Sequence, residues 1–227
     1  YNKAVGEGIA SQRAPFEKVY TGVDKTRKRA VDMATIESLR KLDLRGSRSL
    51  AYARDLFVFS FYMRGMAFVD MAYLRKSDVR DQTAQYIRRK TGQSLCIRLE
   101  PCITEIIRRY ARKTKNSPYV FPIIAATDEN EAYAQYQNAL SYYNKLLKKL
   151  SKLLQADTPL SSYVSRHTWA TTARNCDIPL SVISAGLGHR SQATTQIYLA
   201  SLEDSVIDEA NRKIIFSLNR PGKTSSL

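Results

Sequence analysis

Apolar and polar positions change period several times along this chain, and each change marks an element. From Met33 the spacing is helical, with Thr35 placed to cap Ile36-Glu37-Ser38-Leu39-Arg40. Ser47 to Met63 carries Leu50, Ala53, Leu56, Phe57, Phe59, Ser60 and Phe61, an apolar density that predicts a buried helix. Phe68, Val69, Met71, Ala72 and Leu74 form the face of another. Between Asp78 and Glu100 the period changes. Tyr86-Ile87-Arg88-Arg89, then Lys90-Thr91-Gly92-Gln93, then Leu95-Cys96-Ile97-Arg98-Leu99 reads as a hairpin with a glycine turn.

Helical spacing returns from Ile103 to Tyr110. A proline-flanked loop, Ser117 to Pro122, separates it from a long amphipathic helix at Glu131 to Leu154, which carries the basic stripe Lys145, Lys148, Lys149 and Lys152. Ser161 or Ser162 is placed to cap the helix that holds Arg166. Pro179 starts a short helix that Gly186 to Gly188 ends, and Ser191 begins the helix carrying Tyr198. Asp204 to Leu218 reads as a final amphipathic helix, with Val206, Ile207, Ile214 and Ile215 on its apolar face. The predicted fold class is mainly α with a small antiparallel β-sheet (α+β). Residues 1–30 are different: Gly6, Gly8, Pro15 and Gly22 punctuate scattered charges, and beyond a short helical piece at the start they predict a linker. The folded domain is expected over residues 31–220, followed by a disordered tail at 221–227.

Composition narrows the partner. The chain has 227 residues and 44% apolar content, enough for one sizeable core. Lys+Arg 36 against Asp+Glu 21 leaves a net charge of +15. Nucleic acid is the leading partner class, because neutralising phosphates releases condensed counterions; a solvated positive surface is the plain alternative. The run Lys25-Thr26-Arg27-Lys28-Arg29 is either a strap on a DNA backbone or a solvated turn. Three cysteines without a CxxC pair, and two histidines in all, exclude a credible zinc site and fit reduced thiols in a cytoplasmic protein. No apolar run approaches the roughly 18 residues needed to span a bilayer. The chain starts without Met or a signal-peptide layout, and is expected to begin inside a longer protein.

Three motifs near the C-terminus carry candidate chemistry: Arg166-His167-Thr168-Trp169-Ala170, Leu187-Gly188-His189 and Thr194-Thr195-Gln196-Ile197-Tyr198. A phenol with a reference pKa near 10 is ionised in only about one molecule in a thousand at pH 7, so a tyrosine nucleophile needs a cation or base beside it. Arginine suits the non-bridging oxygens of a phosphate, because its planar fork donates two parallel hydrogen bonds. A leaving alkoxide needs a proton, which a positioned lysine supplies. Arg166 sits in an apolar helix, where a charge is expensive without a partner; phosphate and a buried salt bridge both answer that need. His189 follows a glycine that allows a tight turn, as a site residue or as a capping or core histidine. Lys90 stands at the hairpin turn, with Arg89 its competitor for one role.

The order Arg-His-x-x-Ala, Leu-Gly-His, then a tyrosine nine positions after that histidine resembles the tyrosine recombinase (phage-type integrase) family, over most of the chain. The resemblance implies the catalytic-domain fold of that family and a site-specific recombinase that integrates or excises a mobile element. It implies Tyr198 as the nucleophile that forms a 3′-phosphotyrosyl bond, Arg166 gripping the scissile phosphate, His189 donating to it, and Lys90 protonating the leaving 5′ oxygen. It also implies double-stranded DNA as partner, no metal or nucleotide cofactor, a bacterial cytoplasmic setting, and residues 1–30 as a linker and remnant of an N-terminal core-binding domain missing from this chain. In the family the C-terminal helix often packs into a neighbouring protomer, so a tetramer on DNA and a monomer off it are expected; the apolar face at 204–218 fits a fold-back on its own domain equally well.

Two positions depart from the family pattern. In Arg64-Gly65-Met66-Ala67-Phe68-Val69-Asp70, Ala67 stands where the first catalytic arginine is expected. Arg64 lies three residues earlier, roughly one helical turn, and either reaches the same pocket or contacts DNA backbone. Tyr163 stands where His or Lys is usual; a phenol hydrogen-bonds phosphate but is a poor base at neutral pH. Tyr163 and His167 are therefore secondary candidates. The departures are similar to a subset of integrases from Bacteroides-like mobile elements. They also leave open a DNA-binding relative without catalysis. A type IB topoisomerase-like enzyme shares the tyrosine chemistry. A metal-dependent nuclease is disfavoured, since no clustered carboxylates suggest a two-metal site.

Overall fold

Ser47 opens the helix against which four others pack, its hydroxyl accepting the Leu50 N–H at 3.4 Å. The computed structural model describes residues 2–11, 30–189, 191, 192 and 195. Tyr198, the basic run at 25–29, the helix expected at 204–218 and the tail at 221–227 lie outside the described residues. In chain order the helices are α1 (Asn2–Gly6), α2 (Met33–Lys41), α3 (Arg48–Tyr62), α4 (Phe68–Tyr73), α5 (Pro101–Ala111), α6 (Glu129–Leu153), α7 (Val164–Asn175) and α8 (Leu180–Leu187). Strands β1 (Val79–Arg80), β2 (Thr83–Ile87) and β3 (Ser94–Arg98) fall between α4 and α5, behind a 3₁₀ turn at Lys76–Asp78.

Helix α3 packs against α2, α5, α6 and α7, and α8 packs on α7. Its Leu56, Phe57 and Phe59 are almost wholly buried with Phe121 and Leu147. Phe59 meets Phe121 edge-on at 4.7 Å, and Phe68 stacks on Tyr143 at 4.7 Å. Each such side chain contributes about 1.5–3 kcal/mol by leaving water. The expectation of a buried helix over this stretch holds, with one polar exception. Asp55 is buried, yet three donors reach it: Tyr110 Oη at 2.8 Å, Arg54 Nε at 3.0 Å and Arg109 Nη1 at 3.2 Å. Arg54 also donates to the Leu42 carbonyl at 2.9 Å, so this carboxylate ties α3 to α5 and to the segment after α2.

Several caps differ from the sequence expectation. Asp32, not Thr35, caps α2: its Oδ1 accepts from Thr35 N at 2.7 Å, and the helix starts at Met33. Asp128 likewise accepts from Glu131 N at 2.9 Å and starts α6 at Glu129. In both cases the charged oxygen takes the free N–H of the first turn and meets the positive end of the helix. Neither Ser161 nor Ser162 caps α7. Tyr163 holds that position without a side-chain bond, and the Ser162 N–H is taken by Asn144 Oδ1 of α6 at 2.9 Å.

The sheet has the order β1-β2-β3, antiparallel throughout, with Ala84 opposite Ile97 and Tyr86 opposite Leu95. Ala84, Tyr86 and Ile97 face the core while Gln85 and Ile87 face outward, the alternation that a half-buried sheet requires. The expected glycine turn is present, with Gly92 left-handed at φ 70° and its N–H on the Arg88 carbonyl at 2.8 Å.

Removing the Asp55 carboxylate strands two arginines and a phenol around a cavity. Asp55→Ala is expected to lose about 3–5 kcal/mol in urea unfolding, and a loss under about 1 kcal/mol would show that the carboxylate ties nothing together.

Candidate active site

The turn that closes α3 prepares the site. After Met63, Arg64 and Gly65 both take left-handed backbone, φ 57° and 69°, and Gly65 N–H reaches back to the Ser60 carbonyl at 2.8 Å. This is the six-to-one closure at which a left-handed glycine usually comes first. Here arginine holds that place, at a cost of about 1–2 kcal/mol. The glycine is required one residue later: a Cβ on Gly65 would sit 2.6 Å from Arg166 Cα. Beneath it Ser60 donates to the Met66 carbonyl at 2.7 Å. Its proton is thus committed, so Ser165 is the donor across the 2.7 Å contact between the two hydroxyls. These bonds dock α7 on the turn with Arg166 facing it.

Arg166 is 4% exposed. Its Nη1 donates to the Gly65 carbonyl at 2.9 Å, and its Nη2 to the Leu187 carbonyl. The same Nη2 lies 3.0 Å from His189 Nε2. A guanidinium cannot accept, so Nε2 is the acceptor and the ring carries its proton on Nδ1, which faces Thr195 Oγ1 at 2.8 Å. Burial, with the charges of Arg166, Arg88 and Lys90, pushes the His189 pKa down to about 4. The histidine is therefore neutral at pH 7 in this arrangement. Gly188 closes α8 in left-handed backbone at φ 63°, which turns the chain so that His189 points back at Arg166.

The hairpin closes the other side. Arg88 Nη1 donates to the Gly188 carbonyl at 2.7 Å, Thr91 Oγ1 lies 3.3 Å from the same oxygen, and Gln93 Nε2 reaches the His189 carbonyl at 3.4 Å. The loop that carries Lys90 is thus latched to the segment that carries His189. Asp70, buried at the start of α4, accepts the Arg89 N–H at 2.9 Å. Burial raises its carboxyl above the usual range, against that hydrogen bond and the charges of Arg88, Arg166 and Arg89.

Of the residues singled out in the sequence, Arg166 and His189 are in direct contact. Lys90 is exposed at the hairpin turn, near enough for its charge to oppose protonation of His189. Arg89 is spent elsewhere, its guanidinium 3.9 Å over the Tyr73 ring. Arg64 is half-buried beside the site, but the helical-turn argument fails: it lies beyond the end of α3, and Ala67 is the N-cap of α4. Tyr163 is 46% exposed and stands ring to ring with His167 at 6.4 Å. Tyr198 lies outside the described residues, three positions beyond Thr195. Arg88 was not singled out, although the period-2 pattern Ala84, Tyr86, Arg88 already turns it inward. Among the described residues no group of three or more His, Cys, Asp and Glu is placed to hold a metal ion.

Residues 31–204 match the family described as the phage integrase family. The chain belongs to that family. The fold of this phage integrase also recurs in solved structures. The XerA recombinase superposes with a TM-score of 0.58 at 18% identity, over 97% of this chain and 73% of that one. A lambda integrase dimer bound to a COC′ core site gives 0.60 at 15%, over 87% and 68%. The Tn1549 transposon integrase in complex with transposon right end DNA gives 0.55 at 12%, over 88% and 70%. At these identities the likeness is one of fold. No curated protein matches the sequence. Among the described residues, no helix of the integrase is long and apolar enough to cross a membrane.

The His189 environment sets a pH dependence. Its folded pKa, about 4, lies below the value near 6.5 of an unfolded histidine, so the unfolded chain binds more protons in between. The stability this contributes is full above pH 6.5 and is lost as pH falls towards 4. Between pH 7 and about pH 5 the wild type is expected to lose about 2 kcal/mol more than His189→Gln in urea unfolding. Parallel pH profiles for the two proteins would show that the ring is not held neutral.

Proposed function

We propose that this recombinase cuts and rejoins DNA by phosphoryl transfer to Tyr198, at a phosphate held where Arg166 meets His189. The observation that carries the reading is the buried contact of Arg166 Nη2 with His189 Nε2, 3.0 Å, in a member of the phage integrase family. It supports the reading because a guanidinium suited to phosphate stands beside a histidine whose segment leads, nine residues on, to Tyr198.

Arg166 binds non-bridging oxygens of the scissile phosphate with its forked donors. The negative charge of the phosphate offsets the cations that depress the His189 pKa, so the ring gains a proton and donates through Nε2. Tyr198 gives its phenolic proton to solvent, its phenolate favoured by the Arg166 charge, and attacks phosphorus in line. The bond from Tyr198 Oη to phosphorus forms as the bond to the 5′ oxygen breaks, and Lys90 gives that oxygen its proton. Rejoining is the reverse: a 5′ hydroxyl attacks the phosphotyrosyl bond and the phenol is released. Each step exchanges one phosphorus–oxygen bond for another, so no nucleotide cofactor is consumed. Arg64, half-exposed on its turn, is assigned to the DNA backbone rather than to the reacting phosphate. Tyr163 and His167 flank the site as ligands of neighbouring DNA.

Double-stranded DNA is the partner; the charge of +15 and the lambda and Tn1549 integrases solved on DNA support it. Residues 31–220 form the catalytic domain, residues 1–30 link it to a core-binding domain, and the segment at 204–218 joins protomers into a tetramer on DNA. Integration or excision of a mobile element in a bacterial cytoplasm is the setting.

The test uses full-length protein and a nicked duplex carrying the end of its element, read on a denaturing gel. Wild type is expected to give a covalent protein–DNA band and Tyr198→Phe none; equal bands would remove Tyr198 as nucleophile. No band from either, with DNA binding intact, favours a relative that binds without cutting, the outcome to which Ala67 and Tyr163 point. Lys90→Ala is expected to slow cleavage by about 10²–10⁴-fold. A duplex with sulfur at the bridging 5′ position needs no proton on its leaving group and is expected to restore most of that rate. Without such restoration, Lys90 is not the acid.

A further inference from the structure

The site holds a second buried guanidinium. Arg88 continues the inward side of β2 after Ala84 and Tyr86, and it is 5% exposed. Its Nη1 has the Gly188 carbonyl at 2.7 Å, whereas its buried Nε has no acceptor. Arg88 takes part in no ion pair among the described residues. Asp70, the nearby buried carboxylate, accepts the Arg89 N–H instead. Removing a guanidinium from water for one carbonyl partner leaves most of its desolvation cost unmet.

The position of this charge is as telling as its burial. Arg166 is bonded to the Leu187 carbonyl and Arg88 to the Gly188 carbonyl, the next peptide along. Two cations therefore converge on one three-residue segment that ends in His189. Like charges at such separation repel, and the arrangement becomes favourable when an anion lies between them. Asp70 is near enough for its carboxylate to act on both arginines, but its burial disfavours the charged form and it accepts the Arg89 N–H; a phosphodiester brings a full negative charge.

We propose that Arg88 is a catalytic residue of this recombinase: its guanidinium takes a non-bridging oxygen of the scissile phosphate beside Arg166, and provides the second positive charge that Ala67 lacks. The assignment rests on the reading that the phosphate sits at Arg166 and His189. It also explains why the hairpin is latched to Gly188, since the bond that anchors Arg88 aligns the Lys90 loop with the same phosphate.

The experiment compares wild type, Arg88→Met and Arg88→Lys for the rate of covalent-complex formation on the nicked duplex. Each is run with a normal scissile phosphate and with a methylphosphonate, in which a neutral methyl replaces one charged oxygen. Arg88→Met is expected to lose about 10²–10³-fold on the normal phosphate and to recover most of it on the methylphosphonate, with Arg88→Lys between Met and wild type on the normal phosphate. A rate close to wild type in Arg88→Met, or an equal loss on both substrates, overturns the assignment. So does an equal loss in the Lys and Met variants on the normal phosphate, because an arginine that only braces Gly188 acts without regard to phosphate charge. A wild-type enzyme that forms no complex sinks the phosphate reading and this assignment together, whereas a wild-type complex with indifferent Arg88 variants sinks the assignment alone.

Discussion

The structure depends on keeping one charge, that of Arg166, buried and aimed. A buried guanidinium is costly unless its donors find acceptors, and two carbonyls and an imidazole nitrogen lie against its Nη atoms. The acceptors come from two distant parts of the chain, the turn after α3 and the end of α8 with the residues that follow it. The first requires glycine at residue 65, since any side chain there would collide with Arg166 itself. The second and third require α8 to stop at Leu187 and the chain to reverse through a left-handed Gly188. The serine pair between α3 and α7 fixes the register of these parts. The left-handed strain at Arg64 is a consequence of the same demand, because the turn must bring the Gly65 carbonyl, not a side chain, against Arg166.

Much of this was legible in the sequence because it follows from pattern. The apolar run of α3 predicts burial, and its Phe57 and Phe59 are at the centre of the core. The alternation around Gly92 predicts the hairpin and its turn. Gly188 before His189 predicts the tight reversal that the structure contains. Arg166 in an apolar helix predicts a buried charge with a purpose, and the family match over residues 31–204 agrees with the resemblance carried by those motifs.

What was not legible depends on three-dimensional partners. Asp32 and Asp128 outcompete later residues as caps because their carboxylates suit helix N-termini, a local preference that a search for apolar faces passes over. Ser162 looks like a cap until Asn144, eighteen residues away on α6, takes its N–H. Arg64 seems one helical turn from Ala67 only if α3 continues, and it ends first. Arg88 was hidden by its neighbours. In Arg88-Arg89-Lys90 three cations look alike, and the strand's alternation separates them into one buried, one on a tyrosine ring and one exposed at the turn.

The free enzyme is thus arranged against itself until DNA arrives. Arg88 and Arg166 are both drawn to the segment that carries His189, and their charges, with that of Lys90, help hold the histidine neutral. This cluster favours the folded state least where it would favour a bound phosphate most. An incoming phosphate relieves the repulsion between the arginines, and the same charge raises the affinity of His189 for a proton. On the proposed reading of His189 as donor, binding and activation are one electrostatic event rather than two. On the proposed reading, an integrase with alanine at residue 67 keeps its charge balance because another element supplies the cation, and Arg88, continuing the inward face of β2, brings a buried one.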